Sequence, residues 1–113
     1  MNRDKAALLA IKRELVILHE LIDQMPEDDF LNSEKDQRAV MMTLLNIGEL
    51  IKHMSAEFRK NHTEIPWQQI AGLRDMVAHT YFKLNMRRIW ISLTEDIPLL
   101  ESQIDMILAA WSD

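Results

Sequence analysis

The sequence contains no cysteine. Disulfide scaffolds, thiolate zinc sites and thiol nucleophiles are therefore excluded. It holds only 2 glycines and 3 prolines in 113 residues. That leaves little turn material and favours a few long helices over many short strands. No apolar run exceeds the six residues of Ala6 to Ile11, far short of the about 20 that a membrane-spanning helix needs. The opening Met-Asn-Arg-Asp-Lys has no apolar stretch ending in a small-residue cleavage site, so no secretory signal is expected and the default is a cytoplasmic protein. A positive excess is also missing. Lys plus Arg is 13 against 18 for Asp plus Glu, a net charge of −5, which argues against a general nucleic-acid binder.

That charge is unevenly spread. Between Lys52 and Arg88 the basic residues are Lys52, Arg59, Lys60, Arg74, Lys83, Arg87 and Arg88, against Glu57, Glu64 and Asp75. The segment is +4 and the remainder −9. The hydrophobic fraction of 48% and charged fraction of 27% are those of a folded chain, and the length fits a single domain over residues 1–113.

Helical periodicity dominates. Leu8, Ile11, Leu15, Leu18 and Ile22 form one stripe of a helix over about Arg3 to Gln24. Met25-Pro26 ends it, because proline disfavours the α conformation in the residue before it. Glu27, Asp28 and Asp29 read as an acidic loop, with Phe30 folded back onto the core. Asn32 and Ser33 are candidate N-caps for a second helix, whose stripe is Val40, Leu44, Ile47, Ile51, Met54 and Phe58. Gly48 lies beside that stripe and suits the close approach of another helix. Arg59 to Glu64 reads as a polar loop. Pro66 suits the first turn of a third helix, burying Trp67, Ile70, Leu73 and Val77. Asn85 can cap a last helix whose stripe is Ile89, Leu93, Ile97, Leu100, Ile104, Ile107 and Trp111. Pro98 inside that stripe should kink or divide it. The expected fold is all-α, an up-and-down bundle of four to five helices.

The four histidines are His19, His53, His62 and His79. None is three or four residues from another, so the helical zinc spacing is absent. His19 and His53 are expected as partly buried helix-face residues, and His62 as a solvated one. His79 belongs to Arg74-Asp75-Met76-Val77-Ala78-His79-Thr80-Tyr81, an Arg, four residues, a His, one residue and a Tyr. Arginine supplies a permanent cationic fork matched to phosphate oxygens. Histidine can take and return a proton near neutral pH. The two suffice for metal-free RNA cleavage in which the ribose 2′-hydroxyl attacks the adjacent phosphorus. Five positions of regular helix turn the chain by about 500°, so Arg74 and His79 would point roughly 140° apart. Either the helix is irregular there, or the site combines residues of two chains in a two-fold dimer. Without function, Arg74 would be a surface charge, His79 a helix C-terminal residue favoured by the dipole and Tyr81 a packing residue.

The run Glu64-Ile65-Pro66-Trp67-Gln68-Gln69-Ile70-Ala71-Gly72-Leu73-Arg74-Asp75, followed by Val77-Ala78-His79-Thr80-Tyr81-Phe82, closely resembles the HepT-like branch of the HEPN superfamily. So do the stretch from Phe30 through Ala39-Val40 to Ile47-Gly48-Glu49, and Ile89-Trp90 with Glu95 to Leu100. The resemblance implies a small helical ribonuclease toxin of a toxin–antitoxin pair. It implies a homodimer with the Arg and His motifs of both subunits lining a shared cleft. It further implies a minimal nucleotidyltransferase antitoxin that uses ATP and Mg²⁺ to attach AMP to the motif tyrosine, and no cofactor for RNA cleavage itself. Arg74 and His79 become the catalytic pair, Asp75 the supporting polar residue and Tyr81 the AMP acceptor. Lys83, Arg87 and Arg88 are candidate RNA-binding residues on charge. The family often carries Asn after the arginine, where this sequence has Asp75, a carboxylate that can orient Arg or His but also repels phosphate. The alternative is a weakly active or inactive binding module that partners a nucleotidyltransferase.

Overall fold

A computed structural model describes residues 2–80 and 85–111, leaving outside the description the side chains of residue 73 and residues 76–80. Among the described residues the secondary structure is helical, without strands. The helices are α1 (Arg3–Ile22), α2 (Glu27–Leu31), α3 (Glu34–Lys52), α4 (Ala56–Asn61), α5 (Trp67–Thr80), α6 (Met86–Ile91) and α7 (Ile97–Ala109). A π-helical turn, Ser92–Asp96, joins the last two. Helix α3 is the centre of the packing, with α1 and α5 against it, and α7 packs on α1.

The apolar stripes become the core. Leu8, Ile11, Leu15 and Leu18 of α1, and Val40, Leu44, Ile47 and Ile51 of α3, are buried, as are Ile89, Leu93, Ile97, Leu100, Ile104 and Ile107. Trp67 and Ile70 join them. Ile22 and Trp111 are only half-buried at the rim, and the expected packing of Leu73 and Val77 falls outside the described side chains. Each buried aliphatic side chain contributes about 1.5–3 kcal/mol of hydrophobic stabilisation, so the stripes hold the helices in register.

The chain ends of the helices follow local chemistry. The Asn2 side chain accepts from the Asp4 and Lys5 amides, Ser33 from Asp36, Ser55 from Phe58, and Asn85 from Arg87 and Arg88. These caps satisfy donors that the helix cannot pair internally. Helix α1 stops at Ile22, two residues before the expected end, and the chain reverses through Gln24 at φ 53°.

Three expectations about the loops are corrected. Glu27 to Asp29 are not a loop but the first turn of α2, where carboxylates favour the positive end of the helix dipole. Phe30 in that turn is fully buried, its ring 5.2 Å from Trp90. The second helix does not run on to Phe58. It ends at Lys52, and Ser55 starts α4, which carries Arg59 to Asn61 as helix instead of loop. The break is pinned to α1. Ser55 donates its amide to Asp4 Oδ1 and its hydroxyl to Asp4 Oδ2, both at 2.7 Å, and Arg3 Nε donates to the His53 carbonyl at 2.8 Å. Met54 and Phe58 still reach the core across the break, which is why the stripe looked continuous.

Pro98 divides the last helix as expected. It sits in the first turn of α7, and the Ile97 amide donates to the Ser92 carbonyl five residues back. The widened turn accommodates a proline ring that would otherwise clash with the carbonyl four residues earlier.

Candidate active site

Gly48 sets the geometry. A Cβ placed on it would overlap Arg74 Cβ, and it would stand 3.0 Å from Arg74 Cγ and 3.4 Å from the Arg74 Cα. Only a residue without a side chain lets α5 lie this close to α3, so the expected close approach is at the motif arginine itself. The arginine then has the residues flanking Gly48 on α3 as neighbours.

Glu49 forms an ion pair with Arg74 Nε, which is enclosed and has no aligned hydrogen bond of its own. Arg74 Nη1 donates to Asp75 Oδ1 at 3.1 Å. Lys52 Nζ, one turn beyond Glu49, donates to the same Asp75 oxygen at 2.8 Å. Two cations and two carboxylates thus form one chain across the α3–α5 seam. Hydrogen bonding from Lys52, and then from Arg74, holds the Asp75 carboxyl below its ordinary range. Asp75 above all, and Glu49 with it, hold the Arg74 guanidinium more firmly protonated than usual. The Arg74 side chain is 26% exposed, Lys52 41% and Asp75 50%, so the cluster is anchored on its inner side and open on its outer one.

The other sequence-predicted residues are placed as follows. His79 lies on α5, which is α-helical from Trp67 to Thr80, with its side chain outside the described residues. No irregular turn of α5 intervenes between positions 74 and 79, so the two positions are about 140° apart around one helix axis. Tyr81 and Lys83 lie outside the described residues. Arg87 and Arg88 are exposed in the first turn of α6. Arg87 Nε is 3.8 Å from Glu27 Oε1, and among the described residues no hydrogen bond or ion pair ties either arginine to the Arg74 cluster.

The expected environments of the remaining histidines are corrected. His19 and His53 are exposed, not partly buried. His19 Nε2 lies 2.9 Å from Glu101 Oε1 on α7, and His53 ends α3. His62 is half-buried instead of solvated, its ring 4.3 Å from that of Phe58, and its carbonyl accepts from Trp67 Nε1 at 2.9 Å. Among the described residues no cluster of three or more His, Asp or Glu side chains is placed to hold a metal ion. No helix among them is long and apolar enough to cross a membrane.

Glu49 and Lys52 carry no site role in the sequence analysis. The signal that identifies them is Gly48. Once it is read as the crossing point under Arg74, the polar residues one and four positions further along α3 must flank that arginine.

The comparisons with known proteins agree with the fold. The model of the family described as Ribonuclease HepT-like matches residues 11–107. The chain is 37% identical over 108 residues to Putative RNase TTE0752 of Caldanaerobacter subterraneus, covering 96% of both proteins. It is 34% identical over 97 residues to Probable ribonuclease HepT of Thermococcus cleftensis, covering 86% of this chain and 88% of that one. Gamma-glutamylcyclotransferase and putative RNase MJ0434 of Methanocaldococcus jannaschii is 34% identical over 109 residues, 96% of this chain and 49% of that longer protein. No solved structure matches. The chain belongs to the ribonuclease HepT-like family, and its all-α architecture is HEPN-like.

Proposed function

We propose that the protein is a metal-independent endoribonuclease, the toxin of a toxin–antitoxin pair, with Arg74 and His79 as its catalytic residues. The observation that carries this reading is Arg74. It is a guanidinium anchored from behind by Glu49 on the helix that also bears His79, with its outer side open. Membership of the ribonuclease HepT-like family and the names of the relatives support it.

In the reaction, the 2′-oxygen forms a bond to the adjacent phosphorus while the bond from phosphorus to the 5′-oxygen breaks. The products are a 2′,3′-cyclic phosphate and a 5′-hydroxyl end. One proton leaves the 2′-hydroxyl and one reaches the departing 5′-oxygen, the work of an imidazole that cycles near neutral pH. Arg74 stabilises the charge that builds on the phosphoryl oxygens. Because positions 74 and 79 lie on opposite sides of α5, the active unit is a two-fold dimer in which Arg74 of one subunit serves with His79 of the other.

The silencing partner is a minimal nucleotidyltransferase that transfers AMP from ATP, with Mg²⁺, to Tyr81. An attached nucleotide adds bulk and a negative phosphodiester next to the motif, and both oppose an RNA backbone. The intact mass of protein made with and without the neighbouring gene tests this. An increment of one or more AMP units, lost in Tyr81→Phe, is expected, and an unchanged mass contradicts it. For the nuclease itself, purified protein incubated with RNA and a chelator should leave cyclic phosphate ends. Intact RNA overturns the reading.

One observation favours a second reading. The Asp75 carboxylate already lies on Arg74, as suits a binding module that presents Tyr81 to the nucleotidyltransferase without cutting RNA. Stable co-purification with that enzyme, together with inactivity of unmodified protein, would select it.

A further inference from the structure

One oxygen, Asp75 Oδ1, accepts from both Lys52 Nζ at 2.8 Å and Arg74 Nη1 at 3.1 Å. An anionic oxygen bridging an ammonium and a guanidinium is also how a phosphate oxygen would be held. The bridge is on the outer, open side of the cluster, where Lys52 and Asp75 are about half-exposed. Exposed ion pairs of this kind contribute only about 0–1 kcal/mol. A phosphodiester, with a full charge and several acceptor oxygens, can therefore replace the carboxylate.

We infer that Lys52 and Arg74 form a phosphodiester-binding site for the RNA backbone, and that Asp75 is an internal anion that competes with RNA for it. The inference rests on the RNA-cleaving reading and deepens it. It adds Lys52, from a different helix, to the site, and it gives the carboxylate at position 75 a definite effect. The cluster's two cations are balanced by Glu49 and Asp75, so at rest it presents no net charge. Glu49 stays on the enclosed Nε edge of Arg74, whereas Asp75 is the anion on the open edge. Removing Asp75 unmasks two cations, and removing Lys52 removes one phosphate contact.

The test is binding of a short 2′-O-methylated oligoribonucleotide, which keeps the phosphates but blocks 2′-hydroxyl attack, measured across a salt series for wild type, Lys52→Gln, Asp75→Asn and the double variant. Asp75→Asn should tighten binding at low salt by up to roughly fivefold. Lys52→Gln should weaken it and lower the slope of log affinity against log salt by about 0.7, one phosphate contact on a single strand. The decisive comparison is the double variant. If Lys52 touches phosphate, Lys52→Gln weakens binding more when combined with Asp75→Asn, because Lys52 is then free of its internal partner. If Lys52 serves only to hold Asp75, Lys52→Gln is silent in the Asp75→Asn background, and the inference is overturned. Binding without cleavage of unmodified RNA overturns the nuclease reading and leaves this site standing. No binding by wild type at low salt overturns both.

Discussion

Gly48 and Arg74 touch backbone to side chain where α3 and α5 cross, and a Cβ on the glycine would overlap that of the arginine. Gly48→Ala must therefore push the helices apart. Alanine's better helix propensity returns about 1 kcal/mol, while overpacking of a fitted contact costs about 1–3 kcal/mol. We expect a net loss of stability by denaturant titration, and a loss of RNA cleavage larger than the stability change accounts for, since the displaced residue is the arginine proposed as catalytic.

Glu49 holds the enclosed Nε edge of Arg74, and in the proposed site it is a positioning residue. Glu49→Gln keeps the size and removes the charge. Misplacement of a catalytic group by a fraction of an ångström to an ångström reduces rates by about 10- to 100-fold, so kcat should fall by that order while KM changes little. Glu49→Asp should recover part of the rate. A change confined to KM contradicts the positioning role.

Asp75 sets an acid dependence whose sign follows from its neighbours. Hydrogen bonds from Lys52 and Arg74 lower its folded pKa below the ordinary 3.8. The stabilisation from the ionised carboxylate is fully present above that ordinary value. It is lost as pH falls through the lower, folded one. Thermal unfolding should show no Asp75-dependent change between pH 7 and about 5, and Asp75→Asn should flatten the decline at more acid pH. An Asp75→Asn variant that declines as steeply as wild type would contradict the bridge.

Ser55 caps α4 through the Phe58 amide and ties it to α1 through both oxygens of Asp4. Ser55→Ala removes the cap and the hydroxyl bond, and caps of this kind contribute about 0.5–2 kcal/mol. We expect destabilisation in that range by denaturant titration, with RNA cleavage at saturating protein unchanged, since α4 does not contact the Arg74 cluster through any described hydrogen bond or ion pair.

The proposed shared-site dimer predicts complementation. Arg74→Ala and His79→Ala chains, each inactive, should regain cleavage when unfolded and refolded together, because a mixed dimer holds one site with both intact residues. Inactivity of mixed dimers shown by mass to have formed contradicts a shared site.

The helices were legible because burial imposes a period. Every stripe residue from Val40 to Phe58 and from Ile89 to Ile107 is buried. The chain's interruptions were less legible. The break at His53–Ser55 depends on Asp4 and Arg3, some fifty residues away, and no local pattern in α3 announces it. Glu27 to Asp29 looked like a loop on charge alone, but acidic residues also suit a helix start. In the cluster on α3 and α5, Arg74 and Asp75 stand in the motif itself. Glu49 and Lys52 required the crossing at Gly48, a tertiary fact that one glycine in mid-helix only hints at.

The proposed nuclease stands or falls with Arg74 and His79. Single-turnover cleavage of labelled RNA in excess chelator, compared among wild type, Arg74→Ala and His79→Ala, tests it most directly. Wild type should cut to 2′,3′-cyclic phosphate ends, with a loss of at least about 100-fold in each variant. RNA left intact by unmodified wild type, or variants that cut as fast as wild type, would contradict it.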